Sequence, residues 1–260
     1  MNKKLVLPIL FLVIYFGCSS TKDVSNLPVE ERLNYAIKLY NDGDHQQAIT
    51  QLEAIILQYP GSDVIDDAQF YLAQSRFKRK EYILAASEYS RLIQNIPASP
   101  FVPDAQFMLA ECYYKLSPDY TLDQRFTEKA IEEYQAFIDF FPSDSRVPEA
   151  EKKIKELNEK LAKKIYNNAQ IYEKMEYFNA AILYYTQVVE TYHDTPYAPK
   201  ASFRKIKLLI HKQRTKDAIE EINNFIARYP EDENFSEVKK LKETLDSTNK
   251  LKTTSDAAQR

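Results

Sequence analysis

One spacing pattern recurs five times along this chain and constrains its fold more than any other feature. Each copy closes on a large apolar residue followed by proline or, once, by histidine: Tyr59-Pro60, Ile96-Pro97, Phe141-Pro142, Tyr192-His193 and Tyr229-Pro230. Twelve positions before the end of each pair stands an alanine: Ala48, Ala85, Ala130, Ala181 and Ala218. The positions eight and five before it are always large and apolar or aromatic. Because these three positions are spaced by four and three, they lie on one face of a helix.

A second small residue precedes each of these helices and marks a partner helix. It is alanine in repeats one to four, at Ala36, Ala73, Ala110 and Ala169, whereas repeat five has the larger Ile206 there and is degenerate. Proline ends the second helix because it cannot continue the hydrogen-bond ladder. Two antiparallel helices with a terminal proline are the tetratricopeptide pattern. The sequence therefore predicts an all-α tetratricopeptide-repeat solenoid of five helix pairs. The three glycines of the chain are too few for a glycine-rich phosphate loop.

The spacing between repeats is irregular, and the irregularity predicts two further features. Extra residues in repeat three coincide with a turn-rich loop over 117–126. Extra residues before repeat four keep one apolar face from Pro148 to Met175, which predicts one long helix entering that repeat. The predicted organisation is a signal peptide (1–17), a lipidated tether (18–28), repeats at about 29–62, 66–99, 103–144, 148–195 and 199–232 with a final helix to residue 245, and a disordered tail (246–260).

The first eighteen residues predict export. Lys3 and Lys4 precede an apolar run from Leu5 to Phe16, which is shorter than the roughly 20 residues that span a bilayer. Cys18 follows the run, and a cysteine at this place resembles the cleavage site of bacterial lipoproteins, where the thiol and the new amino end are acylated. The resemblance implies palmitate or a similar acyl chain on Cys18 and a tether to a membrane surface. An ordinary secretory signal with an incidental cysteine is the alternative.

Charge and motifs argue against an enzyme and against a nucleic-acid-binding protein. The 38 acidic residues exceed the 35 basic ones, whereas a nucleic-acid-binding protein would show a basic stripe. Cys112 lies inside a predicted helix, where a structural thiol is expected. The histidines His45, His193 and His211 belong to different repeats and lack metal-ligand spacing. We therefore expect a protein that is not an enzyme, with no cofactor, no bound metal and no nucleic-acid partner.

The first helices of repeats one to three predict a peptide-binding groove on the concave face of the array. Registering the repeats by their alanines aligns three rows of candidate groove residues: Leu33, Phe70 and Phe107; Tyr40, Phe77 and Tyr114; and, between them, Gln74 and Glu111. An aromatic groove with few charges suits an extended or hairpin peptide whose aromatic anchors supply most of the binding energy. The alternative is that these aromatic residues form the core between repeats.

Three segments resemble the BamD family of outer-membrane lipoproteins. Residues 42–60, DGDHQQAITQLEAIILQYP, are similar to a block in the first repeat of that family. Residues 140–172 resemble its P-x-S-x-Y segment and the long helix of its fourth repeat, with Arg146 in place of the usual tyrosine. Residues 184–195 are similar to a third block, in which His193 replaces the usual proline.

The resemblance implies a scaffold of the outer-membrane β-barrel assembly (BAM) complex, which inserts proteins into the membrane. Such a lipoprotein is anchored in the inner leaflet of the outer membrane and faces the periplasm. Its C-terminal repeats are expected to bind the central, BamA-like barrel assembly protein. Its N-terminal repeats are expected to bind the C-terminal signal of unfolded outer-membrane proteins, an alternating segment that ends in an aromatic residue.

Three other functions stay open at this point. A Tol-Pal-linked periplasmic repeat protein, which coordinates envelope constriction, would carry a coiled-coil segment before its repeats. A lipoprotein that docks a cell-wall hydrolase, or is one, would need a catalytic constellation that the sequence does not show. A surface lipoprotein that binds nutrients would be longer and more irregular.

Overall fold

The computed structural model describes residues 26–258 of the chain. Within that range the backbone forms eleven α-helices and no strand, in the order α1 (Val29–Asn41), α2 (His45–Gln58), α3 (Ile65–Lys78), α4 (Tyr82–Asn95), α5 (Val102–Leu116), α6 (Arg125–Phe140), α7 (Val147–Lys174), α8 (Phe178–Thr191), α9 (Tyr197–His211), α10 (Thr215–Arg228) and α11 (Phe235–Ala258). The predicted signal peptide, Cys18 and most of the predicted tether lie outside the described residues.

Successive helices pair as the alanine pattern predicts. Each odd-numbered helix from α1 to α9 packs on the next helix, and each pair packs on the first helix of the following repeat. The alanines of the pattern are fully buried at these contacts: Ala36, Ala48, Ala73, Ala85, Ala110, Ala130, Ala169, Ala181 and Ala218. The large residues four positions after them on the second helices, such as Tyr89, Tyr134 and Tyr185, are fully buried as well. The predicted all-α tetratricopeptide-repeat solenoid is confirmed.

The first helices of repeats one, two, four and five end in the same tight turn. One residue in each turn has a left-handed backbone, at Gly43 (φ 84°), Lys80 (φ 63°), Glu176 (φ 62°) and Gln213 (φ 56°). The N–H of the next residue donates to a carbonyl five residues earlier, as Tyr177 does to Tyr172 at 2.9 Å. This is the Schellman motif, and it reverses the chain between the two helices of a repeat.

The predicted long helix is present as α7, and it serves two repeats. Its 28 residues span about 42 Å at 1.5 Å per residue. The first half, through Ala150 and Leu157, packs into the core of repeat three. The second half, through Ala162 and Ala169, packs with α8 and α9 in the core of repeat four. The helix therefore ends one block, repeats one to three, and begins a second, repeats four and five.

The C-terminal segment differs from the expectation of a disordered tail over 246–260. The last helix, α11, continues as far as Ala258. Its first turns are fixed by Val238, which is fully buried in the core of repeat five. A helix that has been started in this way extends at low cost, and neither glycine nor proline follows Pro230 to stop it. Residues 246–258 therefore continue a helix in the structure, and disorder of the tail in solution stays a prediction.

Candidate partner-binding surfaces

The innermost row of the predicted groove is part of the core. Leu33, Phe70 and Phe107 are only 7%, 8% and 7% exposed. Phe70 is stacked on Phe101, with 4.5 Å between the ring centroids. Phe107 lies under the guanidinium of Arg146, 5.0 Å from the ring centroid. The burial of these three side chains contradicts the expectation that they line an open groove, and residues just before the next repeat cover Phe70 and Phe107.

The outer row of the predicted groove stays half-buried and lies at the rim. Tyr40 packs edge-on against Tyr71, with ring centroids 5.4 Å apart. Phe77 packs in the same manner on Tyr82 at 5.3 Å. Tyr114 donates its hydroxyl to the carboxylate of Glu156 at 2.8 Å, and burial together with this bond raises the pKa of Tyr114 to about 12. These three rings form a shallow aromatic rim.

The polar candidates between the two rows have different surroundings. Gln74 is half-buried. Glu111 is buried, accepts the hydroxyl of Tyr134 and pairs with the ammonium of Lys153. The same ammonium lies 5.0 Å from the ring centroid of Tyr114. Glu111 and Tyr114 are thus brought together, because Lys153 of α7 contacts both of them.

Arg146 has a structural role that sequence reasoning did not assign. It immediately precedes α7, and its guanidinium bonds the carboxylates of Asp104 and Asp144 at 2.7 Å each. The hydrogen bond from Arg146 lowers the pKa of Asp144 to about 2. The same guanidinium lies over the rings of Phe107 and Phe137. Arg146 immediately precedes α7, as Phe101 immediately precedes α5. An alignment of these two segments would have predicted that Arg146 covers Phe107 as Phe101 covers Phe70.

A crevice of about 520 Å³ separates the inserted loop of repeat three from α7 and the start of α9. Lys160 donates to the hydroxyl of Ser117 at 2.8 Å, and the ammonium of Lys163 lies 4.2 Å from the ring centroid of Tyr120. Tyr197 closes the crevice from the other side. The crevice combines aromatic rings with lysine and glutamate side chains, which suits a polar protein surface better than an apolar small molecule.

Cys112 is a free, buried cysteine of α5. Burial raises the pKa of the Cys112 thiol well above its usual range, so the group stays protonated. No group of histidine, cysteine, aspartate and glutamate between residues 26 and 258 is arranged to hold a metal ion. Over the same residues, no helix combines the length and apolar character needed to cross a bilayer.

Stacked antiparallel helix pairs with a recurring small-residue register define a tetratricopeptide-repeat protein. The chain also matches the family model YfiO, described as an outer membrane lipoprotein, over residues 28–214. This match covers most of the chain, and the chain belongs to that family. The predicted family membership is confirmed.

Two curated relatives carry the name outer membrane protein assembly factor BamD. The protein of Rickettsia prowazekii is 26% identical over 193 residues, which cover 74% of this chain and 77% of that protein. The protein of Caulobacter vibrioides is 24% identical over 196 residues, covering 74% of this chain and 64% of that protein.

Solved tetratricopeptide-repeat structures are similar over much of the chain at low identity. A thermophilic repeat protein of Thermus thermophilus has 16% identity and a TM-score of 0.36, covering 84% of this chain and 98% of that one. The TPR2AB domain of yeast Sti1, solved in complex with pHSP90, has 15% identity and a TM-score of 0.42, covering 87% and 86%.

Proposed function

We propose that this chain is a non-enzymatic scaffold of the outer-membrane β-barrel protein assembly machine. The observation that carries the proposal is the family match over residues 28–214, together with relatives named as outer membrane protein assembly factors. Acylation of Cys18 anchors the chain to the outer membrane, and the repeats face the periplasm. The C-terminal repeats bind a central, BamA-like barrel protein.

The surface of the C-terminal block supports binding to a folded, polar partner domain. A crevice of about 300 Å³ lies between α8 and α10. Its walls carry charges of both signs, including Lys205, Arg214, Arg228, Glu190 and Glu220. Such mixed charges favour orientation and specificity in protein recognition more than raw affinity.

The aromatic rim of the N-terminal block supports the second part of the proposal, which is binding of the C-terminal signal of unfolded barrel proteins. Tyr40, Phe77 and Tyr114 are half-buried, so part of each side chain remains accessible to a ligand. A short extended peptide with a terminal aromatic residue can bind by adding its ring to this rim. Phe70 and Phe107 act beneath it as support, because they are buried.

The first test is affinity purification of the full chain from detergent-solubilised envelopes, followed by mass spectrometry. Near-stoichiometric recovery of a large barrel protein with periplasmic domains supports the proposal. Recovery of Tol-Pal proteins or cell-wall enzymes without that barrel protein overturns it and favours the alternative, a periplasmic scaffold of envelope machinery. A Cys18→Ala variant tests the anchor, since it should leave the membrane fraction in the absence of detergent.

A second test concerns the aromatic rim. A synthetic peptide with alternating apolar residues and a terminal phenylalanine serves as the probe, and its binding is measured by fluorescence anisotropy. Tyr40→Ala and Phe77→Ala should each weaken binding about tenfold, equivalent to about 1.4 kcal/mol. The matched control is Leu57→Ala, a leucine on α2 that is 81% exposed and lies outside the rim. Equal effects of all three substitutions would remove the rim from the proposal.

A further inference from the structure

The five repeats can be compared at the position two residues after the small residue of the first helix. This position is occupied by Lys38, Ser75, Cys112, Ile171 and Leu208 in repeats one to five. Ser75 and Cys112 are fully buried, and Leu208 is 5% exposed. In contrast, Ile171 is 54% exposed. Repeat four therefore exposes an apolar side chain at this position, whereas repeats two, three and five have a buried side chain there.

The cover in the other repeats comes from the second helix of the preceding repeat. Leu208 shares a core with Ile182 and Val189 of α8, which are seven residues apart. Cys112 of α5 lies in the same way in a core with Ala86 and the partly buried Ile93 of α4, which are also seven residues apart. The cover is thus a helix with apolar residues at i and i+7, which lie on one face.

Repeat four lacks this cover because of the path of α7. The corresponding side chains of α6, Ile131 and Ile138, pack in the core of repeat three, which the first half of α7 completes. Because these two side chains already pack in the repeat-three core, they do not cover Ile171. Among the residues that the structure describes, no helix pair comes before repeat one either, and its residue at this position is the exposed Lys38. The difference between a lysine and an isoleucine at two uncovered positions calls for an explanation.

Ile171 is accompanied by other apolar groups at the same end of repeat four. Met175 lies one turn further along α7 and is 54% exposed. The Schellman turn brings Tyr177, 58% exposed, back to the last turn of α7. Tyr172, which follows Ile171 in the sequence, is stacked on Tyr184 of α8, with 5.1 Å between ring centroids. We call Ile171, Met175, Tyr177 and this tyrosine pair the repeat-four end patch.

We propose that the repeat-four end patch docks an amphipathic α-helix of a partner protein, in the place that a preceding repeat would occupy. The occupant is a helix because three equivalent surfaces in this chain are covered by helices, α2, α4 and α8. Its apolar side chains are spaced by seven residues, with others at three or four, to match the cover seen at Leu208 and Cys112. This inference rests on the proposed scaffold role and specifies which element of a partner the C-terminal block receives.

The test uses a photo-crosslinking amino acid at position 171 of the full-length chain in native envelopes. The expected result is a set of crosslinks to one partner segment, at residues spaced by three, four and seven. Crosslinks only to lipid, only to a second copy of this chain, or to alternate residues of an extended segment overturn the inference, as does the absence of crosslinks. The control is the same amino acid at Lys38, where the inference expects no crosslink to that segment.

A charge-introducing variant provides the second measurement. Ile171→Lys combined with Met175→Lys should reduce recovery of the crosslinked partner at least tenfold, with unchanged thermal unfolding because both side chains are exposed. Leu57→Lys, at an apolar residue of α2 that is 81% exposed and lies in the first block, is the matched control and should leave recovery unchanged. Unreduced recovery with the double variant overturns the inference. If the wild-type chain recovers the barrel protein in either case, the proposed function stands independently of the patch.

Discussion

The two blocks of the molecule are built from the same helix pair but differ in how their first helices are covered. In repeats two and three, the face of the first helix that meets the preceding repeat carries Ala68, Ser75, Ala105 and Cys112, all fully buried. At the start of the second block the corresponding residues of α7 are Lys164 and Ile171, and Ile171 is exposed. The comparison teaches that in a solenoid a local sequence pattern decides the helix, whereas the neighbouring repeat decides whether its face is core or surface.

The largest expected effect comes from truncating matched residues at a covered and an uncovered position. Leu208→Ala should lower the free energy of unfolding by about 2–5 kcal/mol, because it leaves a cavity in a core. Ile171→Ala should lower it by less than about 0.5 kcal/mol, because the side chain is largely in solvent. Urea unfolding followed by circular dichroism measures both. Similar losses for the two variants would mean that repeat four is covered after all.

The next effect concerns one ion pair in each block. Lys153→Ala removes the partner of the buried Glu111 and should cost about 3 kcal/mol of unfolding free energy. Arg204→Ala removes the partner of Glu173, with which it pairs at 2.8 Å, but the side chain of Arg204 is 41% exposed. Solvent screening should keep that loss below about 1 kcal/mol. The same urea experiment ranks the two variants, and the reverse order would contradict the burial difference.

A smaller effect distinguishes two buried tyrosines of the first block. Tyr134 donates its hydroxyl to Glu111, whereas the buried hydroxyl of Tyr89 has no hydrogen-bond partner among residues 26–258. Tyr134→Phe should cost about 2 kcal/mol, since the bond is made to a charged group. Tyr89→Phe should be neutral or slightly stabilising, because it removes a polar atom that is buried without a partner. Thermal unfolding midpoints compare the pair, and a larger loss for Tyr89→Phe would contradict this assignment.

The smallest effect concerns the turns that end the first helices. Glu176→Gly and Gln213→Gly, both in the second block, should raise the free energy of unfolding by about 0.5–1 kcal/mol, because glycine adopts the left-handed backbone without strain. Gly43→Ala in the first block should lower it by about 1 kcal/mol for the same reason. Denaturant midpoints of the three variants test the prediction. A loss of stability in both glycine variants would show that these side chains make contacts that outweigh the strain.

The sequence predicts the helix pairs well because their determinants are local. Ala181 and Tyr185 are four residues apart on one helix, and their spacing alone places them on its buried face. The long helix was predicted within one residue at each end for the same reason. The prediction of an open groove is wrong at the positions that a distant residue covers. Phe107 is covered by Arg146, which is 39 residues away in the sequence, and no local pattern announces that contact.

Two further features of the structure also depend on residues outside their own segments. The exposure of Ile171 depends on where the first half of α7 places repeat three, so its sequence neighbourhood looks like that of a core residue. The helix over residues 246–258 depends on a start that is fixed by Val238, outside the segment itself. The sequence therefore predicts which face of each helix is apolar, but it does not predict which helix packs against that face.

The continuity of α7 fixes the angle between the two blocks by a count of residues. Each residue added to an α-helix turns everything beyond it by about 100° and moves it by about 1.5 Å. One residue inserted between Leu157 and Ala162 would rotate the second half of α7 relative to the first and point the repeat-four end patch in a different direction. The relative orientation of the two binding faces is therefore set by the number of residues in one helix.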